Sequence, residues 1–332
     1  MSFARFFAAF ALLLSLLAAP AQAQPETKYS SVKLISPVTA TGDLARVPAA
    51  VVVTMTPGWK TYWRTPGDAG LPPVIDSTGS VNISDVALSY PAPHRFTIYD
   101  IDNFGYKDNV TFPVDITPVT VGGAVEVKLR VDLLVCSDIC VPESHNVSLS
   151  LPAGAASDSA DKAVYDAALA TLPQSAIDGV ALQSAELAIT SDNRAQLTVT
   201  AAITRPLADD ADLFVESGGD VSFLKPDIAQ DTTTGETRFV MLANTTIAPE
   251  KLAQDLANKT LTLTFVDKDG SLETTLPLTV AGIDTTATPD KAPSEMPVDM
   301  PKLGLSILLV AFIGGLILNL MPCVLPVLSL KV

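Results

Sequence analysis

Cysteines are the side chains in this sequence best suited to chemistry, and two of the three lie close together. The segment Val135-Cys136-Ser137-Asp138-Ile139-Cys140-Val141 places two thiols four residues apart. A fully extended chain would separate their Cα atoms by about 13 Å, whereas a disulfide needs about 4.4–6.8 Å. If the two cysteines are bonded, the Ser-Asp-Ile segment is therefore predicted to fold back, as a turn or as a single helical turn.

A bond between Cys136 and Cys140 would close a very small loop. A short loop restricts the unfolded chain little, so such a bond adds less stability than a long cross-link. Strained, exposed disulfides are also the ones that exchange readily. The spacing leaves open a redox-active pair and a purely structural disulfide. A third interpretation is a copper or zinc site formed by both cysteines and His145, although no partner motif supports it.

Composition restricts the possible functions further. The chain has 332 residues, a formal charge of −15, three Cys and two His. The acidic excess excludes nucleic acid as a partner, because no basic surface is available to neutralise phosphates. With so few Cys and His, we predict neither a cofactor nor a resident metal ion.

The N-terminus has the pattern of a secretory signal peptide. Arg5 precedes an apolar run from Phe6 to Ala19, and Pro20-Ala21-Gln22-Ala23 forms a small-x-small cleavage site. An N-terminal membrane anchor is the weaker alternative, because the run is short. Cleavage after Ala23 would place the mature chain in an oxidising compartment, where disulfides persist.

The C-terminus predicts a membrane span. Residues 303–330 contain no charged side chain and are bounded by Lys302 and Lys331. This run exceeds the roughly 20 apolar residues that cross a bilayer, and the positive-inside rule places Lys331 at the cytoplasmic face. Asn319 and Cys323 within the run need neighbouring helices to cover them. We therefore expect the chain to be part of a longer polytopic protein.

The region between the two ends is predicted to be mainly β. Apolar and charged residues alternate most clearly at Val125–Val131, and Pro, Gly and Asp clusters separate such runs. Strands are predicted at 31–35, 49–55, 81–88, 110–116, 125–135 and 146–151, and again at 182–190, 195–203, 212–216, 238–242, 260–266 and 273–280. A hairpin turn is expected at Asp267–Gly270, and one or two helical turns at 249–257. The predicted fold class is two immunoglobulin-like antiparallel β-sandwich domains followed by one transmembrane α-helix.

The predicted domain organisation has six parts. They are a signal peptide (1–23), a redox-active sandwich (24–155), a helical connector capped by Ser157 or Ser159 (156–176), a second sandwich (177–283), a Pro-rich linker (284–302) and the first helix of a truncated membrane domain (303–332). The second sandwich contains neither Cys nor His. Its expected role is that of a spacer or docking module.

Several segments carry a resemblance to a known family. Leu318–Lys331, with the sequence LNLMPCVLPVLSLK, resembles the first transmembrane helix of the DsbD family of thiol:disulfide reductases. The exported part resembles the ScsB-type members of that family, which are linked to copper tolerance, at Pro57–Arg64, Tyr90–Pro93, Asp102–Tyr106 and the cysteine segment. Together these stretches cover most of residues 30–150 and 303–332.

The resemblance implies a protein-disulfide reductase of the bacterial inner membrane, with residues 24–302 in the periplasm. Cys136 and Cys140 would form the exported pair that reduces periplasmic thioredoxin-like or disulfide isomerase-type proteins, including those of cytochrome complex assembly. Cys323 would belong to the membrane pair that re-reduces them. Later helices, outside this chain, would supply its partner cysteine and the route from cytoplasmic thioredoxin. The alternatives are a membrane-tethered binding module with a structural disulfide and a periplasmic copper-handling protein.

The resemblance also assigns shielding residues. Phe104 matches the aromatic of a cap loop over the cysteines, with Tyr106 behind it, and Asp102 would be the acid that tunes the pKa of the thiols. Ordinary sheet packing is the alternative for the two aromatics. The DsbD protein itself spaces its exported cysteines more widely, which favours the ScsB-like branch. The segment Trp59–Trp63 is predicted to be a loop, and its two tryptophans are expected to plug one end of the sandwich, with a partner-binding surface as the alternative.

Overall fold

A computed structural model describes residues 28–98, 101–218 and 221–281. The predicted signal peptide, the Pro-rich linker and the predicted membrane helix with Cys323 lie outside the described residues. Within the described ranges, no helix has both the length and the apolar character needed to cross a membrane.

The first half folds as a sandwich of two β-sheets. Its strands are β1 (Ser30–Ile35), β2 (Val47–Met55), β3 (Lys60–Gly67), β4 (Val74–Asp76), β5 (Ile83–Leu88), β6 (His94–Ile98), β7 (Ile101–Lys107), β8 (Asn109–Pro118), β9 (Val125–Cys136) and β10 (Cys140–Leu151). One sheet has the order β1-β2-β8-β5, and the other has the order β10-β9-β3-β7-β6 with β4 also paired to β9. We call these ten strands the first sandwich.

Alternation of side chains positions β9 in this sandwich. Val125, Val127, Leu129 and Val131 are at most 3% exposed, whereas the charged residues between them face outward. Directly paired strands share this alternation, so the faces of β9 also fix the faces of β10 and β3. The predicted mainly β character and the immunoglobulin-like sandwich of this half are confirmed.

The second half forms a sheet that differs from the expected antiparallel sandwich. Its strands are β11 (Val180–Ile189), β12 (Ala195–Ile203), β13 (Asp212–Glu216), β14 (Ser222–Phe223), β15 (Asp227–Gln230), β16 (Glu236–Asn244), β17 (Thr260–Asp267) and β18 (Gly270–Val280). They form one hydrogen-bonded path, β13-β17-β18-β11-β12-β16-β14, with β15 also on β16. We call it the second sheet. Most pairs are antiparallel as expected, but β11 and β18 run parallel and join the two groups of strands, so the predicted antiparallel arrangement was wrong for this pair.

Two short helices accompany the strands in the described residues. Helix α1 (Lys162–Leu169) connects the two halves, and helix α2 (Pro249–Leu256) packs Leu252, Ala253 and Leu256 into the core of the second sheet. The N-cap residue of α1 is Asp161, not the predicted Ser157 or Ser159. The Ser159 hydroxyl instead accepts a hydrogen bond from the Asp161 amide just outside the helix.

The two halves pack against each other in one compact unit. Phe214 on β13 is 1% exposed and belongs to the hydrophobic core of the first sandwich. Its ring lies edge-on to Trp63 and Phe104, with ring centroids at 6.0 and 5.0 Å. Aromatic contacts of this kind add stability beyond the buried area.

Candidate functional site

The two predicted cysteines end one hairpin. Cys136 is the last residue of β9 and Cys140 is the first of β10, and the two are direct cross-strand partners. Their Cα atoms are 4.1 Å apart, and their sulfurs form a disulfide. Between them, the Ser137 amide donates to the Ile139 carbonyl at 2.9 Å. The predicted fold-back is confirmed, and it is a tight turn.

The two sulfurs differ in access. Cys136 is 0% exposed, whereas Cys140 is exposed. Ile139, next to Cys140 in the turn, is 58% exposed. A thiol or disulfide that approaches from solvent therefore reaches Cys140 Sγ first.

The disulfide lies on the outer face of the sheet. Lys60 on β3 pairs directly with Cys136. Two residues further along β3, Tyr62 pairs with Gly105 on β7. Because direct partners and every second residue of a strand share a face, Lys60, Tyr62 and the disulfide lie on one side of the sheet. The hydrophobic core lies on the other side.

Tyr62 covers the buried sulfur. Its hydroxyl donates to Cys136 Sγ at 3.0 Å and lies 3.9 Å from Cys140 Sγ. Tyr62 is only 2% exposed, and this burial raises the pKa of its hydroxyl above the usual range. The hydroxyl therefore remains a proton donor over the physiological pH range. Hydrogen bonding to a thiolate favours the ionised form, so this contact is suited to stabilising a Cys136 thiolate.

A second aromatic and a loop hold the Tyr62 ring. The Phe96 ring of β6 lies at a centroid distance of 5.9 Å, and Lys60 Nζ lies 5.7 Å from the centroid of Phe96. Gly70 has a φ of +126°, and a Cβ built on it would lie 2.2 Å from Tyr62 Cε1. Glycine is thus required at this position both by the backbone conformation and by the close contact with the ring.

The residues predicted to shield the cysteines lie elsewhere. Phe104 and Tyr106 are 4% and 5% exposed and belong to the core, on the face opposite the disulfide. Tyr106 packs edge-on against Phe112, and its hydroxyl donates to the Pro91 carbonyl. Phe104 packs on Phe214. The cap role of these two aromatics stays a prediction, and the side chains that the structure places at the disulfide are Tyr62 and Phe96.

Asp102 is likewise held by neighbours other than the cysteines. Its carboxylate accepts from Arg95 Nη1 at 3.1 Å and from the Thr97 hydroxyl at 3.3 Å. It shares the inward-facing register of Phe104, two residues along β7. Its assigned role in tuning the thiols stays a prediction.

The residues of the alternative metal site do not come together. His145 pairs with Val131 of the core and is 9% exposed, so it lies on the inner face of β10, opposite Cys140. Its Nε2 lies 3.1 Å from Glu143 Oε2 and 2.9 Å from the Ser30 hydroxyl. In the described part of the chain, no group of three or more His, Cys, Asp or Glu side chains is arranged to hold a metal ion.

Glu143 joins the two sheets of the first sandwich at this edge. Burial alone would raise the pKa of its carboxyl, but hydrogen bonds from the Ser30 hydroxyl, the Tyr29 amide and His145 outweigh it and lower the pKa. The buried carboxylate thus ties strand β10 to the start of β1.

Tyr62 and Phe96 are the site residues that sequence reasoning missed. The segment Trp59–Trp63 was expected to be a loop, yet most of it belongs to β3, and Trp63 is 0% exposed. A signal for this strand was present in the sequence, because Thr61 and Trp63 alternate with Lys60 and Tyr62. Such alternation predicts a strand with one inward face and one outward face.

The site as a whole defines a class of protein. A β-sandwich presents a cross-strand disulfide at a hairpin end, with one sulfur exposed and the other buried under a tyrosine hydroxyl. Such an arrangement is suited to thiol–disulfide exchange.

Comparison with known proteins finds a family model that matches part of the chain. Residues 32–152 match the family described as thiol:disulfide interchange protein DsbD, N-terminal. Residues 171–281 match a domain of unknown function, DUF8393. Residues 32–152 are thus similar to the N-terminal region of DsbD proteins, and the resemblance to the DsbD family found in the sequence is confirmed for this part of the chain. No curated protein matches the chain.

One solved structure agrees with the fold. The N-terminal periplasmic domain of ScsB from Proteus mirabilis matches with a TM-score of 0.58 and 22% identity, over 77% of this chain and 96% of that one. At this identity the match shows the fold alone. The reduced N-terminal domain of DsbD from Neisseria meningitidis matches with a TM-score of 0.23 and 11% identity, over 42% of this chain and 98% of that one.

Proposed function

We propose that this chain is the exported module of a protein-disulfide reductase. It passes electrons to periplasmic thioredoxin-like proteins by disulfide exchange at Cys136 and Cys140. The observation that carries the proposal is the unequal exposure of the two cysteine residues, 0% for Cys136 against an exposed Cys140, at the end of a hairpin. The family match to thiol:disulfide interchange proteins supports it.

The proposal assigns a role to each cysteine. In the reduced protein, the Cys140 thiolate attacks one sulfur of the partner's disulfide and forms a mixed disulfide, and the partner's other sulfur leaves as a thiolate that takes up a proton. The Cys136 thiolate then attacks Cys140 Sγ, which restores the internal disulfide and releases the partner's second thiol. Two electrons pass to the partner, and both protons of the dithiol are accounted for by the partner's two new thiols.

Tyr62 supports the second of these steps. Its hydroxyl is aimed at Cys136 Sγ from 3.0 Å and remains protonated because it is buried. A hydrogen bond to the thiolate lowers the pKa of the thiol and raises the fraction of the reactive form. The buried cysteine thereby keeps a reactive thiolate out of contact with solvent oxidants.

The rest of the chain has proposed roles in the same electron route. Residues 1–23 would direct export, residues 284–302 would link the exported part to the bilayer, and residues 303–332 would place Cys323 in the inner membrane. Cys323 and a cysteine on a later helix would re-reduce the exported pair with electrons from cytoplasmic thioredoxin. Within the exported part, the proposed boundaries are 24–155, 156–176 and 177–283.

The test is to trap the mixed disulfide. The reduced chain, in detergent, is mixed with an oxidised thioredoxin-fold protein that carries a Cys-x-x-Cys pair. A Cys136→Ser variant lacks the resolving thiol and should accumulate a covalent complex through Cys140. A Cys140→Ser variant has only the buried thiol and should accumulate little or none. Equal trapping by both variants would overturn the assignment of roles, and no trapping by either would overturn the proposed function.

A further inference from the structure

Strand β3 bulges away from its neighbour directly after Tyr62. Tyr62 pairs with Gly105 and Gly67 pairs with Asn103, so residues 63–66 of β3 stand opposite the single residue Phe104 of β7. Bulges of this kind bend a strand and redirect its side chains, and they are frequent next to active sites. Here the bulge projects residues 63–66 towards the second sheet.

The bulge is fixed to the second sheet by charge. Arg64 donates to Glu216 of β13 through Nε at 3.1 Å and through Nη2 at 2.5 Å, and it also pairs with Glu273 of β18. The Thr65 hydroxyl donates to Glu216 at 2.6 Å. The two carboxylates raise the pKa of Arg64 despite its burial. Arg64 and Glu216 side chains are only 28% and 20% exposed, so solvent screens this pair incompletely.

A second anchor stands next to the other covering aromatic. Arg95 immediately precedes Phe96 on β6 and makes a bidentate pair with Asp212 of β13, at 2.9 and 3.1 Å. The Arg95 and Asp212 side chains are 8% and 9% exposed. The Arg95 guanidinium also lies 4.7 Å from the centroid of the Phe104 ring. A buried bidentate pair of this kind is geometrically specific, because the planar fork of arginine fits a carboxylate in one orientation.

We propose that the second sheet positions the aromatic cover of the disulfide, with Glu216 and Asp212 as positioning residues. Glu216 acts through Arg64 on Tyr62, and Asp212 acts through Arg95 on Phe96. Held in this way, the two rings shield Cys136 and leave Cys140 as the only sulfur of the pair that an incoming thiolate reaches. This inference rests on the proposed function in treating the pair as one that exchanges, and it gives the DUF8393 region a role in controlling where exchange begins.

The readout is the choice of sulfur. When a monothiolate such as that of glutathione attacks Cys140 Sγ, the internal disulfide breaks, Cys136 leaves as a thiolate and takes up a proton, and glutathione remains on Cys140. Attack on Cys136 Sγ gives the opposite product. The oxidised chain is mixed with glutathione, quenched by alkylation and digested, and mass spectrometry then counts the glutathione adducts at Cys136 and at Cys140. A purely structural loss of stability in the second sheet would not alter this ratio.

Glu216→Gln is the principal variant, because it removes a charge and keeps the side-chain shape. In the wild type we expect adducts at Cys140. In the variant we expect the Cys136 share, and the overall rate of reduction, to rise roughly three- to tenfold, the range expected for weakening a hydrogen-bonded ion pair. Asp212→Asn should act in the same direction. Arg64→Met combined with Glu216→Gln should have less effect than the sum of the two single changes, because both remove the Arg64–Glu216 pair.

Asp267→Asn is the matched control. Asp267 is 7% exposed and pairs with Arg205 at 2.5 Å, and both residues lie in the half of the chain that forms the second sheet. It should keep the wild-type adduct ratio even where it lowers the melting temperature. Wild-type ratio and rate in a folded Glu216→Gln variant would overturn the inference, as would an equal change in Asp267→Asn. If Asp212→Asn does not fold, Glu216→Gln alone decides.

This experiment separates the two proposals. Glutathione replaces the protein partner, so the adduct ratio tests the positioning role whether or not a thioredoxin-fold protein reacts. Failure to trap such a protein would overturn the proposed function. The positioning role of Glu216 and Asp212 would still be decided by the adduct ratio.

Discussion

Removal of the Tyr62 hydroxyl is the change that should most directly alter the chemistry of the buried sulfur. Tyr62→Phe keeps the ring that packs on Phe96 and deletes only the donor 3.0 Å from Cys136 Sγ. Hydrogen bonds to charged groups contribute about 1.5–3 kcal/mol. We take about 1.4 kcal/mol, just below that range, because sulfur is a weak acceptor. That energy corresponds to a rise of about one unit in the pKa of the Cys136 thiol.

The effect on rate is smaller than the effect on the pKa. Near neutral pH, a rise of one unit lowers the thiolate fraction about tenfold where the thiol is mostly protonated. A more basic thiolate is a better nucleophile, with a Brønsted coefficient of about 0.4–0.5, which restores a factor of about three. Attack of Cys136 on a Cys140 mixed disulfide should therefore slow roughly three- to fourfold.

Two assays check these values. The pKa of Cys136 is measured in a Cys140→Ser variant, from the thiolate absorbance as a function of pH. The absorbance of a variant with both Cys136→Ser and Cys140→Ser is subtracted, because it gives the contribution of Cys323. Glutathione release from the Cys140 mixed disulfide gives the rate. Tyr90→Phe is the control, because it removes a part-buried tyrosine hydroxyl that donates to the Pro73 carbonyl instead. An unchanged Cys136 pKa in Tyr62→Phe, or an equal change in Tyr90→Phe, would refute the reasoning.

Three further predictions concern packing and pH. Gly70→Ala forces a Cβ against the Tyr62 ring, so it should lower the unfolding free energy by about 1–3 kcal/mol and speed disulfide reduction. The control is Gly79→Ala, which should leave the reduction rate unchanged because Gly79 also has a positive φ but has open space around it. Phe214→Ala should lower the unfolding free energy by about 3–5 kcal/mol in denaturant titrations, and a loss below about 1 kcal/mol would show that the interface is not packed as described. The lowered pKa of Glu143 stabilises the fold above the usual carboxyl pKa, and this stabilisation should be lost as the pH falls through the lowered value. Glu143→Gln should therefore flatten the acid limb of stability against pH in thermal melts, and an acid limb as steep as that of the wild type would count against the assignment.

Local pattern accounts for much of what could be predicted. The alternation at Val125–Val131 fixed β9 and the face that its end residue Cys136 occupies, and the four-residue spacing to Cys140 required a reversal. The short distance that a disulfide permits between Cα atoms left few conformations for the turn. These features are determined by residues near one another in the sequence.

The remaining features depend on contacts that are distant in sequence. Arg64 and Glu216 are 152 residues apart, and no local property of either residue indicates its partner. The bulge after Tyr62 ends the regular pairing of β3 after three residues, so the alternation at its start is too short to identify the strand with certainty from the sequence. The parallel pairing of β11 with β18 likewise depends on how the whole second sheet closes. Propensity and periodicity carry no information about such long-range choices.

Reversible exchange between the Cys136–Cys140 pair and a thioredoxin-fold protein is the central claim, and it is measured most directly from both directions. One mixture starts with the reduced chain and the oxidised partner, and the other starts with the oxidised chain and the reduced partner. Differential alkylation and mass spectrometry follow Cys136 and Cys140 of this chain and both cysteines of the partner. We predict that the two mixtures approach the same distribution, with one pair of thiols lost from one protein for each pair gained by the other. If both mixtures keep their starting redox states, the account is contradicted.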